Sequence, residues 1–466
     1  MTLMKKPKVI VIGLDCATPQ LVFDQYRKFL PNIAAFMEQG TWGKLTSTIP
    51  PITVPAWAAM TTGKHAGDLG VYGFRYRKPG SAYNSMEICQ ARDVHEPRVW
   101  DLLGEQGYQV GMLGVPQTYP ITKPVNGLMV SCFLTPGTDV EFTYPQELKK
   151  EILEMCAPAD YIFDFANRGK ESPTKVLEKI YQMTNQRQLI FKHWIKNKPW
   201  DFLMMVEMGV DRIHHYLWQY IDPQHKDYVP GNPFEQKIRE YYQHIDKFIG
   251  EIRVLAPQDT IFYVVSDHGA KRMEGMFVLN EWLIENGYLT LKEFPKNPTS
   301  IENCAVDWSK TKAWAWGGFY GRLFINVAGR EEQGIVAPTQ VSALVNEIRE
   351  KLQKVKGPKR ENLVHKMYTA QELYDVTRGD APELLIFWGD LYWKVAGTIG
   401  YHSLYIDHDD RGTDFGVHDW KGIFVKFDPQ NPGQGQRDDL HITDFTPTVL
   451  QDFGIKPPLG LRGKII

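Results

Sequence analysis

The sequence predicts an α/β protein built on a doubly wound, mainly parallel β-sheet with helices on both faces, plus a smaller inserted α+β unit. Three observations predict this architecture. Short runs such as Val9–Leu14 and Ile261–Val265 are apolar throughout, which is typical of strands buried on both faces of a parallel sheet. Amphipathic helical segments alternate with these runs. A polar, proline-containing stretch at 292–300 then breaks the alternation and indicates a boundary.

The composition is that of an ordinary globular protein of more than one core. The chain has 466 residues, of which 43% are hydrophobic and 23% charged, and its formal net charge is -2. This balance argues against a nucleic-acid polymer or a membrane surface as partner. The apolar run behind the basic N-terminus is too short for a signal peptide. Five scattered cysteines fit reduced thiols. We therefore expect a cytoplasmic protein; a homo-oligomer stays open.

The first third of the chain contains two candidate functional positions. Asp15 ends the first predicted strand, where it could bind a ligand or cap the helix that begins near Pro19. Prolines at 50, 51 and 55 surround Thr53, ahead of a helix predicted at 56–61. Thr53 would lie near a helix N-terminus, which favours an incoming anion, or it could be a simple cap.

The middle of the chain continues the alternation of helices and strands. The predicted helices are 31–40, 94–107, 145–155, 174–196 and 234–255, and the predicted strands between them are 109–115 and 201–210. Asp211 and His215 follow the last of these strands and are four residues apart, which places them on one face of a helical turn. Asp267 and His268 follow the strand Ile261–Val265, and His418 precedes a strand at 423–427.

The chemistry of this set indicates a metal site. At one sheet edge the unpaired carboxylates of the three acids would repel one another strongly unless cations lie among them and the three imidazoles. Mixed Asp and His ligands suit Zn²⁺, with Mn²⁺ or Fe²⁺ as alternatives. Six ligands are enough for two ions about 4 Å apart, as in two-metal phosphoryl-transfer sites. The hydroxyl of Thr53 would then be the nucleophile.

The chain also resembles a known superfamily in five segments: GLDCATP, STIPPITVPAWAAMTTGK, MGVDRIHHYLW, SDHGA and GVHDWKGIF. In order and spacing these are similar to the alkaline phosphatase superfamily, and within it to the type I phosphodiesterase/nucleotide pyrophosphatase branch, especially its cytosolic prokaryotic phosphohydrolase and phosphomutase-like members. The resemblance implies an alkaline phosphatase-like core. It also implies that one metal is held by Asp15, Thr53, Asp267 and His268, and the other by Asp211, His215 and His418.

Two positions depart from the pattern of this branch. Relatives often have a His where this chain has Leu69, and nucleotide pyrophosphatases tend to have an Asn where it has Phe74. The second departure puts the nucleotide-diester interpretation in doubt more than the metal site. Lys64, Arg75 or Arg77 could supply the missing charge stabilisation and bind substrate.

The resulting hypothesis is a two-metal phosphohydrolase that cleaves phosphodiester or pyrophosphate bonds of a small phosphate ester through a phosphothreonine-type intermediate on Thr53. The alternatives are a phosphomonoesterase or phosphomutase with the same site, and a non-catalytic metal-binding scaffold. A sulfatase is disfavoured because no Cys or Ser lies in a C/S-x-P-x-R context near Thr53. Residues 1–280 and 396–466 would form the catalytic core, and 281–395 an inserted cap.

Overall fold

The structure is a computed structural model that describes residues 6–77, 83, 85–165, 171–410, 412 and 414–466. Its β-strands are β1 (Val9–Leu14), β2 (Thr41–Thr46), β3 (Arg75–Arg77), β4 (Met86–Ile88), β5 (Val110–Leu113), β6 (Gly127–Val130), β7 (Thr143–Tyr144), β8 (Phe202–Glu207), β9 (Ile261–Val265), β10 (Gly269–Arg272), β11 (Gly275–Val278), β12 (Thr299–Ser300), β13 (Ala313–Trp316), β14 (Gly321–Ile325), β15 (Lys366–Tyr368), β16 (Leu384–Phe387), β17 (Trp393–Ala396), β18 (Thr398–Ile399), β19 (Tyr405–Ile406), β20 (Gly416–Asp419), β21 (Lys421–Phe427) and β22 (Gly435–Arg437).

The α-helices alternate with these strands as the sequence predicts. They are α1 (Pro31–Gln39), α2 (Thr53–Thr62), α3 (Ala66–Leu69), α4 (Val99–Glu105), α5 (Leu148–Cys156), α6 (Pro173–Asn197), α7 (Gly209–Leu217), α8 (Phe234–Leu255), α9 (Leu279–Glu285), α10 (Val341–Leu352), α11 (Ala370–Leu373) and α12 (Phe445–Asp452).

The main sheet has nine strands in the order β22-β2-β21-β9-β1-β8-β5-β6-β7. Its central pairs, β9 with β1, β1 with β8 and β8 with β5, are all parallel, whereas β21 and β7 join their neighbours antiparallel. The mixed α/β class with a mainly parallel central sheet is therefore confirmed. Because parallel strands point the same way, the carboxyl ends of β9, β1 and β8 lie side by side.

Both faces of this sheet are covered, and the alternation of side chains along β1 shows how. Ile10 and Ile12 pack into a core that also contains residues of α1, α6, α7 and α8. Val9 and Val11 point to the opposite face and pack with residues of α2, α4 and α12. Apolar side chains at consecutive positions are needed for a strand that is buried on both faces, so the continuous apolar runs have a direct structural cause.

A second group of smaller sheets lies between β9 and β21 of the main sheet along the chain. It contains the antiparallel sheet β13-β14-β16-β15 and the three-stranded sheet β17-β11-β19. A separate hydrophobic cluster contains Tyr83 and buried residues from Phe277 to Ile399, among them Trp314, Trp316 and Trp388. Strand β11 pairs with both β17 and β19, and β11 and β19 lie outside 281–395. The division at 280/281 and 395/396 stays a prediction.

Two local expectations differ from the structure. The strand predicted at 201–210 ends at Glu207, because α7 already begins at Gly209, and this places Asp211 inside a helical turn. His418 does not lie in a loop ahead of a strand. It lies on β20, which pairs with β10 in a small antiparallel sheet that is separate from the main sheet. After β20 the chain returns to the main sheet with β21, which pairs with β9.

Candidate metal centre

Three adjacent strands of the main sheet deliver the predicted acidic side chains to one place. Asp15 directly follows β1, Asp267 and His268 directly follow β9, and Asp211 lies in the first turn of α7 behind β8. In the parallel register Gly13 lies opposite Val265 and Leu14 lies opposite Glu207, so the three strands end at the same level. The sheet therefore brings together residues that are far apart in the sequence.

Thr53 and His418 reach this place from outside the three strands. Thr53 is the first residue of α2, and its Oγ1 lies 3.3 Å from Nε2 of His268. His418 lies opposite Ala270 in the β10–β20 pair, which places its ring on that of His268 with centroids 3.7 Å apart. All seven residues predicted from the sequence thus meet in one buried cluster.

The predicted ligands form two groups, and a third group, Cys16 with His268 and His418, overlaps both. The first consists of Asp15, Asp267 and His268, whose ligand atoms all lie within 4.8 Å of one another. Nε2 of His268 is 3.1 Å from Oδ2 of Asp267 and 3.9 Å from Oδ1 of Asp15. None of the three side chains is exposed. Thr53 adjoins this group through His268.

The second group consists of Asp211, His215 and His418, whose ligand atoms also lie within 4.8 Å of one another. Nε2 of His215 is 3.2 Å from Oδ1 of Asp211 and 3.3 Å from Nε2 of His418. Oδ1 of Asp211 is 3.9 Å from Nε2 of His418. Two imidazole nitrogens and one carboxylate oxygen therefore point at a common centre, which is the arrangement expected of ligands that share an ion.

In each carboxylate one oxygen is held by the protein while the other faces the cluster. Oδ2 of Asp15 accepts a hydrogen bond from Nε1 of Trp57 at 2.7 Å, and Oδ1 of Asp267 accepts one from the backbone N–H of Cys16 at 3.1 Å. The second oxygens, Oδ1 of Asp15 and Oδ2 of Asp267, are buried and have no hydrogen-bond partner in the described structure. Buried acceptors are normally paired, so these two atoms indicate a missing partner.

The second group repeats this arrangement. Oδ2 of Asp211 pairs with the guanidinium of Arg212, while Oδ1 is buried and has no hydrogen-bond partner among the described residues. Nδ1 of His418 donates to the backbone carbonyl of Pro51 at 3.0 Å, which leaves Nε2 as the free ligand atom.

The electrostatics of the cluster favour cation binding. Burial, reinforced by Asp267 and Asp211, raises the pKa of Asp15 well above its usual value. Burial also lowers the pKa of His268 to about 4 and keeps its imidazole neutral, which is the ligand form. Against the effect of burial, Asp211 and Asp414 raise the pKa of His215 to about 10, so a cation bound there would displace a proton. The residues present fit a pair of divalent cations.

Several residues that shape the cluster are absent from the sequence-based prediction. Cys16 has a positive φ of 65°, and this turn aims its backbone N–H at Asp267. Asp414 faces Nδ1 of His215 at 3.5 Å. Trp57, four residues after Thr53 on α2, has a helical spacing that could have identified it. No local pattern distinguishes Asp414. His214, next to His215 in the chain, has its Nε2 2.7 Å from the hydroxyl of Tyr242.

The three basic residues predicted to bind substrate make their described contacts elsewhere. Lys64 Nζ donates to the carbonyl of Gly460 at 2.7 Å. Arg77 is buried between Glu331 and Asp380, with nitrogen–oxygen distances of 2.6 and 2.8 Å. Arg75 is about half exposed, and its nearest recorded acid is Glu302 at 3.9 Å. None of these contacts reaches Thr53 or a predicted metal ligand. Their role in substrate binding stays a prediction.

Within the described residues, the helices lack the combination of length and apolar character that a membrane span requires.

The fold and the site together define an α/β protein with a candidate metal centre, because a large, mostly parallel sheet gathers acidic and imidazole side chains at its carboxyl edge. More particularly, the chain belongs to the type I phosphodiesterase/nucleotide pyrophosphatase family, whose model matches residues 9–420. No curated protein sequence matches the chain.

Solved structures of two kinds of enzyme have the same fold. Human ectonucleotide pyrophosphatase/phosphodiesterase 5 is 14% identical, with a TM-score of 0.54 over 97% of this chain and 96% of that one. Phosphonoacetate hydrolase from Sinorhizobium meliloti, solved with phosphonoformate, is 12% identical, with a TM-score of 0.59 over 96% of each chain. An inactive variant of the murine ectonucleotide pyrophosphatase/phosphodiesterase 5, solved with AMP, is also 12% identical, with a TM-score of 0.54 over 97% of this chain and 96% of that one. At these identities the similarity establishes the fold.

Proposed function

We propose that the protein is a two-metal phosphohydrolase that cleaves phosphodiester or pyrophosphate bonds through a covalent intermediate on Thr53. The observation that carries this proposal is the position of the Thr53 hydroxyl. It begins α2, is only 3% exposed, and lies 3.3 Å from His268 where the two ligand groups meet. Membership of the type I phosphodiesterase/nucleotide pyrophosphatase family supports the reaction class.

Two divalent cations would be held by the residues already described. Asp15, Thr53, Asp267 and His268 would bind one, and Asp211, His215 and His418 the other. Zn²⁺ suits this mixture of carboxylate and imidazole ligands best, with Mn²⁺ or Fe²⁺ as alternatives. When bound, the cations would stabilise the charge that develops on the phosphoryl oxygens and favour loss of the Thr53 hydroxyl proton.

The chain itself supplies the nucleophile and a place for a phosphoryl oxygen. In α2 the first recorded backbone hydrogen bond runs from Ala56 N to the carbonyl of Ile52 at 2.9 Å, and Pro55 has no N–H. The amides of Thr53 and Val54 precede this bond, so they can donate to a phosphoryl oxygen at the positive end of the helix.

The reaction would then proceed by two displacements at phosphorus. Oγ1 of Thr53 forms a bond to phosphorus while the bond to the leaving oxygen breaks, and the leaving group departs with the electron pair. The phosphoryl group on Thr53 keeps the second ester arm of the substrate. The oxygen of a water molecule then forms a bond to phosphorus while the bond from phosphorus to Oγ1 breaks, and a proton from that water restores the hydroxyl of Thr53 as the product leaves. The helix end holds Thr53 in the same place for both displacements, because its backbone is fixed by α2.

The charges around the site favour a diester over a monoester. A phosphodiester carries one negative charge, whereas a monoester dianion needs additional cationic partners beside three carboxylates. The recorded contacts of Lys64 and Arg77 lie with Gly460, Glu331 and Asp380. At the position where related nucleotide pyrophosphatases tend to have an Asn, Phe74 instead packs on Phe133 at a centroid distance of 6.1 Å. A substrate ester with an apolar arm would therefore suit the apolar surface that Phe74 and Phe133 form.

The proposal is tested by replacing Thr53. We expect Thr53→Ala to lower the rate of bis(p-nitrophenyl) phosphate hydrolysis by roughly 10⁴-fold or more, because the nucleophile is lost. Thr53→Ser should retain part of the activity. The matched control is Thr62→Ala at the other end of α2, where the hydroxyl donates to the carbonyl of Ala58. Stopped reactions should yield a peptide in which Thr53 carries the p-nitrophenyl phosphoryl group that remains after one p-nitrophenolate has left, as detected by mass spectrometry.

Unchanged turnover in Thr53→Ala would contradict the assignment of the nucleophile. A panel of aryl phosphate monoesters, diesters and dinucleoside pyrophosphates distinguishes the remaining alternatives. Preference for monoesters, or transfer back to the substrate, would favour the phosphomonoesterase or phosphomutase. Two bound metals without hydrolysis of any compound would favour the non-catalytic scaffold.

We also propose a cytoplasmic location and a small phosphate ester as the only partner that the site requires. All five cysteines are free thiols, and four of them are buried, which is consistent with a reducing compartment.

A further inference from the structure

The second ligand group is covered on one side by two residues from the smaller sheets, Phe319 and Lys394. Phe319 lies in the turn between β13 and β14, and Lys394 lies on β17. We propose that these two are positioning residues, which hold His215 and His418 in place and thereby set the affinity of the second cation site. The inference rests on the proposed function for its metal and goes beyond it by assigning residues outside the predicted ligand set.

The first line of evidence is a chain of buried charges behind His215. Nδ1 of His215 lies 3.5 Å from Oδ2 of Asp414, and Nζ of Lys394 lies 2.9 Å from the same oxygen. Lys394 also makes a short contact with Asp409, which is 7% exposed. A carboxylate behind a metal-binding imidazole fixes the orientation of the ring. Here the carboxylate of Asp414 is itself held by Lys394, which comes from the sheet β17-β11-β19.

The second line of evidence is the packing of Phe319. Its ring stacks on that of His418, with centroids 3.9 Å apart and an interplanar angle of 16°. It also lies 5.4 Å from the ring of His215. Nζ of Lys394 lies 4.9 Å from the centre of the Phe319 ring. One aromatic ring therefore restrains both imidazoles of the group, and one lysine contacts that ring and the carboxylate behind His215.

A backbone contact explains why the two residues occur together. Gly318 N donates to the carbonyl of Val395 at 2.8 Å, and Val395 N donates back to the carbonyl of Gly318 at 3.0 Å. This exchange joins the residues next to Phe319 and Lys394. A Cβ on Gly317 would lie 2.3 Å from both the N of Gly397 and the O of Val395, so only glycine allows this close approach.

The charge balance gives the expected direction of the effect. Replacing Lys394 by an apolar residue would leave Asp409 and Asp414 buried beside each other without their common cation. Breaking one partner of a buried ion pair is costly because the other charges remain. Asp414 would then lose the Nζ group that holds its carboxylate, and His215 would lose the group that orients it. The first ligand group has no recorded contact with Lys394 or Phe319 in the described structure.

The test measures metal binding by competition with a chelating dye on the full-length protein. We expect Lys394→Met to weaken one of the two Zn²⁺ equivalents by about 10- to 100-fold, which is typical when a partner of a ligand is lost, and to leave the other equivalent unchanged. The double variant Lys394→Met/Asp409→Asn should recover part of the loss because it removes one of the two negative charges that Lys394 contacts. Phe319→Leu, which keeps every charge, should weaken the same equivalent.

The matched control is Lys366→Met. Lys366 also pairs with a carboxylate, Asp390, at 2.7 Å and covers an aromatic ring, that of Trp420, but its recorded contacts include no predicted ligand. Wild-type binding of both equivalents in Lys394→Met and in Phe319→Leu would overturn the inference, as would equal weakening of both. If Lys394→Met does not fold, Phe319→Leu decides. Because the readout is metal affinity, a protein that hydrolyses no ester would refute the proposed function while leaving this result interpretable.

Discussion

The hydrogen bond from Trp57 to Asp15 allows a sharp test of the first ligand group. Both side chains are completely buried, and the indole N–H donates to Oδ2 at 2.7 Å while Oδ1 faces the cluster. Trp57→Phe removes this donor and keeps an aromatic ring at the position. A hydrogen bond to a charged group contributes about 1.5–3 kcal/mol. Since 1.4 kcal/mol is a factor of ten in affinity, we expect one Zn²⁺ equivalent to bind roughly 10- to 150-fold more weakly.

The assay is again metal competition, combined with a denaturant titration of each variant. The control is Trp100→Phe, the same substitution at a residue that is 3% exposed and packs in the same hydrophobic cluster but touches no predicted ligand. Both variants should lose a similar amount of packing energy, so only the hydrogen bond distinguishes their metal affinities. Equal Zn²⁺ binding by Trp57→Phe and Trp100→Phe would refute the reasoning that this indole stabilises a ligand carboxylate.

Three further outcomes are expected. Gly13→Ala should lower the free energy of unfolding by about 1–3 kcal/mol in denaturant titrations, because its Cβ would lie 2.5 Å from the Trp57 ring and 2.9 Å from Val206; an unchanged midpoint would contradict this. Burial lowers the pKa of His214 to about 3, so its contribution to stability is complete above its ordinary value of 6.5 and is lost as the pH falls towards 3. Between pH 7 and pH 5 the free energy of unfolding of the wild type should therefore fall by roughly 2 kcal/mol through this residue, and this pH-dependent loss should be absent in His214→Gln. A chelator should lower the melting temperature, because each site filled at 1,000 times its Kd contributes about 4 kcal/mol; identical melting with and without metal would speak against a metal centre.

The elements and most of the cluster could be predicted from local patterns. Continuous apolar runs at Val9–Leu14 and Ile261–Val265 predict strands buried on both faces, and both are strands of the main sheet. Helix α8 begins and ends at the predicted residues, 234 and 255, because its amphipathic pattern is long and regular. An acid or imidazole directly after such a strand is visible in the sequence, and a parallel sheet places all these positions at one edge.

Other features depend on contacts that local patterns do not contain. Lys64, Arg75 and Arg77 are close to Thr53 in sequence, yet the recorded partners of Arg77, Glu331 and Asp380, come from the second group of sheets. The ion-pair partners of a basic residue therefore do not follow from its position in the sequence, and the role of these three residues in substrate binding stays a prediction. The acid that lies nearest to such a basic residue depends on how distant segments pack in the fold.

The sequence by itself determined the class of fold and predicted the candidate ligands and nucleophile, because side-chain periodicity and strand-end residues are local properties that survive in any parallel arrangement of these strands. Only the tertiary structure decided which oxygen of each carboxylate stays unpaired, and that Asp414 and Phe319 lie against the two histidines with Lys394 beside them. The physical reason is that these contacts join segments with no shared periodicity, through the pairing of Gly318 with Val395. Such pairing is set by the packing of whole sheets.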